Sequence, residues 1–281
     1  MLKQRVITAV VMLLILLPAL FYRTAFPFCM IAMALIGVAA WEWARLNGYS
    51  QVRSLLSGLL CLLLCAASWW LGMLDQSLTL LWLSAGICWI IAGAWVLHQG
   101  VAAWAGHSRS LRQIAGLIAL WLAWLAVAQA RTVGVNFLLS ILLLVWVADI
   151  FAYFAGRALG GRFSRGKLAP SISPGKSWEG VWGGMIGVLV LAFAWQVADR
   201  VFVAAVPSLF SHLGSRSTWL LLVCVLFLAA MSVLGDLFES LVKRSAGVKD
   251  SSGLLPGHGG VLDRVDALLP TLPLAMMLYS V

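Results

Sequence analysis

The sequence predicts an all-α polytopic integral membrane protein with about nine transmembrane helices. Hydrophobic residues make up 63% of the chain and charged residues 10%, and the mean hydropathy is +1.00. These values are typical of a helical membrane protein and exclude a water-soluble domain of this length. The apolar runs are continuous over about 16 to 22 residues, whereas the strands of a membrane barrel alternate. Lys and Arg fall mainly on one predicted side of the membrane.

The predicted spans follow one another along the whole chain. The first has Lys3 and Arg5 before its apolar core, as a signal peptide does. Its core is long, however, and eight further spans follow, so we expect an uncleaved anchor. The link to the second span is short enough for a tight helical hairpin. The predicted spans are 5–22, 25–41, 54–73, 78–97, 113–130, 135–156, 179–198, 217–242 and 265–281.

Lys and Arg also predict the orientation. With the N-terminus in the cytoplasm, fifteen of the 19 cations are inside and four are outside. The C-terminus is then outside, and the polar loops at 157–178 and 243–264 face the cytoplasm. The net charge of +9 follows from this topology and does not imply a nucleic-acid partner. The inner cations are Lys3, Arg5, Arg45, Arg53, Arg109, Arg112, Arg157, Arg162, Arg165, Lys167, Lys176, Lys243, Arg244, Lys249 and Arg264.

The two halves of the chain differ in chemistry. Residues 1–134 carry few ionisable groups and no repeated motif, so we interpret them as a scaffold of transmembrane helices with a possible dimer contact. Residues 135–281 hold nearly all the polar clusters, and we expect the cytoplasmic catalytic loops there. No internal repeat or low-complexity linker separates the halves, which indicates one membrane domain.

Four polar residues project from one face at the end of the eighth span. Asp236, Glu239, Ser240 and Lys243 are spaced at i, i+3, i+4 and i+7. Asp236 lies roughly 10 Å before the predicted helix end. A carboxylate at that depth must face the protein interior or a water-filled cavity. The alternative is a Glu239–Lys243 salt bridge, with Asp236 merely paired to a neighbour.

The segment after this helix predicts a site for a multiply anionic ligand and a metal. Its glycines let backbone amides approach a ligand closely. Asp263 and Asp266 flank Arg264 at the start of the last helix, where simple helix capping is the alternative. Together with Asp236, these aspartates suit Mg²⁺ shared with substrate phosphates, and a second cation is left open. No Cys or His pair has the spacing that zinc requires.

The other cytoplasmic loop is predicted to contact phosphate. Asp149 lies about seven residues before its helix exits near Arg157, at the depth of Asp236. The loop contains Gly-Lys-Ser, but Pro170 stands where a Walker loop needs glycine, and no strand is predicted before it, so a P-loop is rejected. We expect a phosphate-contacting turn that leads into the seventh span.

The signature of one enzyme family resembles the motif in the last loop. The match covers 27 residues without an evident departure, and the segments ADIFAYFAGRALG and ISPGKSWEG resemble that family's preceding loop. The family is that of the phosphatidate cytidylyltransferases, or CDP-diacylglycerol synthases. The matching residues are Ser240-x-Val242-Lys243-Arg244, Lys249-Asp250-x-Ser252 and Leu255-Pro256-x-His258-Gly259-Gly260-x-x-Asp263-Arg264-x-Asp266.

The resemblance implies a homodimeric, all-helical enzyme of the bacterial inner membrane, with a polar cavity open to the cytoplasm. Such an enzyme joins CTP to phosphatidic acid, giving CDP-diacylglycerol and pyrophosphate. Asp236, Asp263 and Asp266 are implied as metal ligands, and Lys243, Arg244 and Arg264 as further catalytic residues. The predicted substrate-binding residues are Asp149, Arg157, Ser173, Lys176, Ser177, Glu179, Ser240, Lys249, Asp250, His258, Gly259 and Gly260.

Three questions stay open at this point. His258 either contacts a phosphate or is a structural loop histidine. A different Mg²⁺-dependent membrane phosphotransferase, which moves a sugar phosphate onto a polyprenyl phosphate, would also need aspartates at the cytoplasmic face, although the signature argues against it. A transporter is disfavoured because the charges cluster in loops at one face instead of at broken helices in the midplane.

Overall fold

The computed structural model describes residues 2–164 and 166–281, so Arg165 lies outside the described residues. Eight helical segments in these ranges are long and apolar enough to cross a membrane, which confirms the predicted fold class with one span fewer than expected. The elements are α1 (Leu2–Leu20), α2 (Phe26–Leu46), α3 (Gln51–Trp70), α4 (Thr79–Cys88), a π-helical turn (Trp89–Gly93), α5 (Ala94–Gly106), α6 (Arg109–Val133), α7 (Val135–Leu159), β1 (Lys167–Ala169), β2 (Ser173–Ser177), α8 (Trp178–Val201), α9 (Leu209–Arg216), α10 (Thr218–Ser245), α11 (Leu262–Val265) and α12 (Leu268–Ser280).

Two predicted spans differ most from the structure. The fourth, predicted at 78–97, continues to residue 106 through the π-helical turn and through a break at Gly100, where φ is 80°. The ninth is the short pair α11 and α12, of which α12 has 13 residues with Pro273 inside. Its residues 269–276 are all buried, and α12 packs against α4, α6 and α10. The last helix is therefore a core element, buried on every side.

Glycines on α8 allow this helix to pack closely on α7. An added Cβ would lie 2.9 Å from the Ala152 carbonyl oxygen at Gly180 and 2.8 Å from the Ala148 carbonyl oxygen at Gly184. Small residues at such positions let two helix backbones approach each other. The contact holds Asp149, which lies on α7, beside the first turn of α8.

A short antiparallel hairpin precedes α8. It pairs Lys167 with Ser177 and Ala169 with Ser173. Ser177 ends β2 and is also the N-cap of α8, since its Oγ accepts a hydrogen bond from the Gly180 amide at 3.2 Å. The sequence predicted a turn here and no strands, because strands of three and five residues are too short to show the alternating apolar pattern that reveals a strand.

Both polar loops lie at the same end of the bundle. Lys176 of β2 forms a salt bridge with Asp236 of α10, with Nζ 2.7 Å from Oδ2. Thr8 of α1 donates a hydrogen bond to the Pro256 carbonyl oxygen, at 3.0 Å, in the signature loop (residues 246–261). The start of α1, the hairpin and the signature loop therefore share one side of the membrane. That this side is the cytoplasmic one stays a prediction from the positive charges.

Candidate active site

A polar cleft of about 380 Å³ opens between α7, α8 and α10 at this end of the bundle. The close packing of α7 on α8 forms one wall, and the hairpin brings β2 over the top. Five of the predicted site residues therefore meet in one place, although they come from two separate stretches of sequence. Those five residues are Asp149, Arg157, Lys176, Ser177 and Asp236.

Charges of both signs line this cleft. Asp236 is held on both oxygen atoms, by Lys176 on Oδ2 and by the Ser240 hydroxyl on Oδ1 at 3.2 Å. The carboxylates of Asp149 and Asp266 lie within Coulombic range of Asp236. Within the described residues neither Asp149 nor Asp266 forms a salt bridge. Three carboxylates therefore lie near one another, and one ammonium group, that of Lys176, pairs with one of them.

Lys243 is half-buried beside the cleft and does not line it. Its Nζ contacts the Glu239 carboxylate one turn earlier and lies 2.6 Å from Oδ1 of Asp263. The Glu239 side chain has no exposure to solvent, and Lys243 is its close partner. The intrahelical pair considered from the sequence is therefore present, with a second carboxylate added to it. Lys243 joins α10 to α11 in this structure.

Asp263 is engaged by the protein through both oxygen atoms. Oδ1 accepts from Lys243, and Oδ2 accepts from the Ser251 amide at 2.9 Å, the Ser251 hydroxyl at 2.8 Å and the Gly260 amide at 2.7 Å. Burial alone would raise the pKa of the Asp263 carboxyl, but the hydrogen bonds from Lys243, Gly260 and Ser251 outweigh burial and lower it to about 2. Asp263 is therefore an anion at neutral pH.

A carboxylate from the N-terminal half closes the signature loop. Glu42 of α2 is fully buried, and its two oxygen atoms accept hydrogen bonds from Ser251, Ser252, Val261 and Leu262. Ser251 and Ser252 lie in the middle of the loop, Val261 ends it, and Leu262 begins α11. One side chain therefore holds the middle of the loop against the start of α11.

Gly259 and Gly260 let the loop backbone lie against these two carboxylates. Gly259 has φ of 81°, and a Cβ there would lie 2.6 Å from Oδ2 of Asp263. A Cβ on Gly260 would lie 2.1 Å from the Ser251 hydroxyl oxygen and 2.3 Å from Oε1 of Glu42. The close backbone approach predicted for a ligand is thus made to carboxylates of the chain itself.

Two further predicted residues also hold the loops in place. Arg244 donates from Nε to the Ile172 carbonyl oxygen at 3.4 Å and from Nη1 to the Val248 carbonyl oxygen at 3.3 Å. Glu179 is 2% exposed, and its Oε1 accepts from the Phe163 and Ser164 amides and from the Ser164 hydroxyl. The signature loop is therefore tied to the hairpin, and the segment before the hairpin is tied to α8.

The remaining predicted residues are more open to solvent. Lys249, Asp250 and Arg264 are exposed, and Ser173 is half-buried in β2. His258 is half-buried, and its Nδ1 is shielded from solvent without a hydrogen-bond partner among the described residues. These side chains lie around the cleft and the signature loop and do not meet at one place.

A second cavity, of about 440 Å³, has an almost wholly apolar lining from α4, the π-helical turn, α5 and α6. Phe238 of α10 contributes to this lining. Because Phe238 follows Asp236 by two residues, it points roughly 200° away from Asp236 around the helix. The two cavities lie on opposite faces of α10, and the acidic residues that line them belong to the smaller one.

The three predicted metal ligands differ in how far the protein already engages their oxygen atoms. Among the described residues, no group of three or more His, Cys, Asp and Glu side chains is already arranged around one metal position. Asp236 and Asp266 offer the oxygen atoms that Mg²⁺ prefers, next to the cleft and near Asp149. Asp263 can offer only Oδ1, and only in exchange for Lys243. The donor set therefore fits a hard divalent cation at Asp236 and Asp266 better than at Asp263.

Known proteins resemble the chain over its full length. A model of the cytidylyltransferase family matches residues 3–281. The phosphatidate cytidylyltransferase of Pseudomonas aeruginosa is 39% identical over 287 residues, which covers 100% of this chain and 98% of that protein. The phosphatidate cytidylyltransferase of Haemophilus influenzae is 38% identical over 300 residues, covering 99% of each chain. The chain belongs to the cytidylyltransferase family.

A more distant relative matches the chain in part. The phosphatidate cytidylyltransferase of Thermotoga maritima is 39% identical over 152 residues, or 54% of this chain and 52% of that protein. The family resemblance that the signature predicted is thus confirmed, while the roles of the individual site residues stay predictions.

Two buried carboxylates of this cytidylyltransferase have roles that the sequence did not predict. Glu42 was assigned to the scaffold with the rest of residues 1–134, and Glu239 was considered only as part of a salt bridge. A signal was available for Glu42, because it is an acidic residue within an apolar span, which is costly unless the residue has a partner. What the sequence did not reveal was the partner, which lies more than 200 residues away in the chain.

Proposed function

We propose that this protein transfers the cytidylyl group of CTP to phosphatidate, giving CDP-diacylglycerol and pyrophosphate. The observation that carries the proposal is the similarity, over the full length of the chain, to two proteins named phosphatidate cytidylyltransferase. The cleft supports it independently, since cationic and anionic side chains converge at one end of an apolar helix bundle. A site of this kind suits phosphate groups bound to a lipid, because the lipid stays in the membrane while the phosphates reach the cleft.

The reaction requires positioning and charge neutralisation more than proton transfer. The phosphate monoester of phosphatidate has a second pKa near 6, so it is mostly a dianion at neutral pH and needs no general base. Its oxygen attacks the α-phosphorus of CTP, and the bond to the bridging oxygen breaks, so that pyrophosphate leaves with the electron pair. Lys176, Arg157 and Arg264 are the cations placed to bind these phosphates.

Mg²⁺ is part of the proposal. We assign it to Asp236 and Asp266, with Oδ1 of Asp263 as a third ligand if Lys243 gives way, and a second cation stays open. Bound there, the ion would neutralise phosphate charge. In the same proposal the protein is a homodimer of the bacterial inner membrane with its cleft facing the cytoplasm. The hydrogen bond between α1 and the signature loop supports a shared side for the N-terminus and the site.

The direct test follows label from α-labelled CTP into a chloroform-soluble product, using purified protein in micelles with phosphatidate and Mg²⁺. We expect labelled lipid and released pyrophosphate in equal amounts, and neither product when phosphatidate or Mg²⁺ is omitted. A folded sample that transfers no label would contradict the proposal.

Lys176 and Lys167 make a matched pair on the hairpin. Lys176→Met removes a cation that faces Asp236 in the cleft, and we expect kcat/KM to fall by about 10- to 100-fold, the effect of losing one contact to a charged group. Lys167→Met removes an exposed cation from β1 and should stay within about twofold of wild type. Equal losses in both variants would mean that the hairpin acts only through its overall charge.

A further inference from the structure

Glu42 is held in a way that no salt bridge explains. It is completely buried in α2, and no Lys or Arg among the described residues pairs with it. Four polar groups from the region of the signature loop instead surround its oxygen atoms, and one of them, the Ser251 hydroxyl, has a single proton that it shares between Glu42 and Asp263. Oε1 accepts from the Ser252 hydroxyl and from the Val261 amide at 3.1 Å, and Oε2 accepts from the Leu262 amide at 2.7 Å and lies 3.2 Å from the Ser251 hydroxyl.

These contacts require the loop to have one particular shape. A buried carboxylate is costly when its hydrogen bonds are missing, so the four donors and Glu42 depend on one another. The donors come from residues 251–252 and 261–262, which flank the last four glycines of the loop, Gly253, Gly257, Gly259 and Gly260. Glu42 therefore fixes the distance across this part of the loop, and successive amides around an anion form a stable concave arrangement.

The same contacts connect Glu42 to Asp263 and to the start of α11. The Ser251 hydroxyl lies between Glu42 and Oδ2 of Asp263, at 3.2 and 2.8 Å, so a single hydroxyl spans the two carboxylates. Leu262, whose amide binds Glu42, immediately precedes Asp263 and begins α11. The placement of Glu42 thus determines where α11 starts and where the aspartates on and after it point.

We propose that Glu42 is a positioning residue for cytidylyl transfer: it acts through the signature loop to aim Asp263 and Asp266 at the cleft, and it does not touch substrate. The N-terminal half of the chain then contributes to catalysis and is more than a scaffold. The rate measurements that test this inference rest on the proposed function. The effect of Glu42 on the structure of the signature loop can be measured without any turnover.

The test compares Glu42→Gln with a control at the other end of the bundle. Glu42→Gln keeps the size of the side chain but leaves fewer acceptors for the four donors. Gln129→Ala is the matched control, because Gln129 is also a buried side chain that holds a loop, through the carbonyl oxygens of Met73 and Gln76 at 2.6 and 3.0 Å. Both variants lose buried hydrogen bonds, but only Glu42 contacts the signature loop.

Three quantities separate a positioning role from a purely structural one. For Glu42→Gln we expect kcat to fall by about 10- to 100-fold, the Mg²⁺ concentration at half-maximal rate to rise several-fold, and amide hydrogen exchange at Val261 and Leu262 to accelerate by at least about tenfold. For Gln129→Ala we expect a lower unfolding temperature in micelles with all three quantities near wild type. Adding Ser252→Ala to Glu42→Gln should lower kcat by less than about twofold further, since Ser252 acts through Glu42.

Defined outcomes would overturn the inference. Wild-type kcat and Mg²⁺ dependence in Glu42→Gln would do so, as would changes no larger than those of Gln129→Ala. If Glu42→Gln does not fold, Ser252→Ala alone decides the matter, and unchanged exchange at Val261 counts against the inference. If the wild-type protein itself transfers no label, the proposed function fails, while the exchange measurements still decide whether Glu42 holds the loop.

Discussion

Asp236→Asn is expected to reduce turnover by about 10³-fold or more while the protein stays folded. Asp236 is half-buried on the wall of the cleft, and its partners, Lys176 and Ser240, can hydrogen-bond to an amide oxygen as well. The loss of the negative charge removes the proposed Mg²⁺ ligand and leaves Lys176 without a counter-ion. The magnitude is that of losing one strong stabilising group for a charged transition state.

The same substitution at Asp266 should have a similar effect, since both carboxylates are assigned to one ion. Asp75→Asn provides the control, because Asp75 is an exposed aspartate outside the cleft. The label-transfer rate is measured over a range of Mg²⁺ concentrations for all three variants. A rate for Asp236→Asn within tenfold of wild type at saturating Mg²⁺ would refute the assignment of this residue to the metal.

Asp263→Asn is expected to lose both activity and stability, which distinguishes it from the variants at the cleft. A residue that served only as a metal ligand could be replaced by Asn with little effect on packing. In the structure, however, Asp263 is the partner of Lys243 and accepts three further hydrogen bonds from Ser251 and Gly260. Breaking a buried ion pair by removing one partner typically costs about 3 kcal/mol.

The pH dependence of this effect has a defined sign. Because the folded-state pKa of Asp263 is lowered to about 2, its ionised form stabilises the protein at neutral pH. That contribution is complete above the unfolded-state pKa of about 4 and is lost as the pH falls through about 2. Thermal unfolding in micelles, at neutral pH and in acid, checks both points. A stable but inactive Asp263→Asn protein would show that the residue serves only as a metal ligand.

The fold was largely predictable because membrane insertion is a local property of the sequence. Long apolar runs and the distribution of Lys and Arg identify helices and their order without knowledge of their contacts. The sequence failed to predict the elements whose structure depends on tertiary packing. Pro273 and the burial of residues 269–276 make α12 a short core helix, although its composition is that of a span. The hairpin at 167–177 has strands of only three and five residues and therefore has no apolar periodicity to reveal it.

The candidate site was predictable as a set of residues but less so as a set of roles. The helical spacing and the signature brought Asp236, Asp263 and Lys243 to attention, yet a pattern of donors and acceptors does not say which ones bind each other. Lys243 was predicted as a catalytic residue, and in the structure it is held between two carboxylates. Glu179 was predicted to bind substrate, and in the structure it holds the segment before the hairpin. Sequence patterns identify polar groups that require partners, and only the packed structure supplies the partners.

The distance in sequence between Glu42 and its donors has a consequence for biogenesis. The four donors follow Glu42 by 209 to 220 residues, so α2 enters the bilayer long before they are synthesised. Until the ribosome has made residues 251–262, the second helix carries an unmatched acidic group, which is unfavourable in lipid. Completion of the chain therefore gives the acidic group of the early helical hairpin its hydrogen-bond partners and assembles the reaction centre at the same late stage. A nascent protein arrested before that stage is inactive and is a target for membrane quality control.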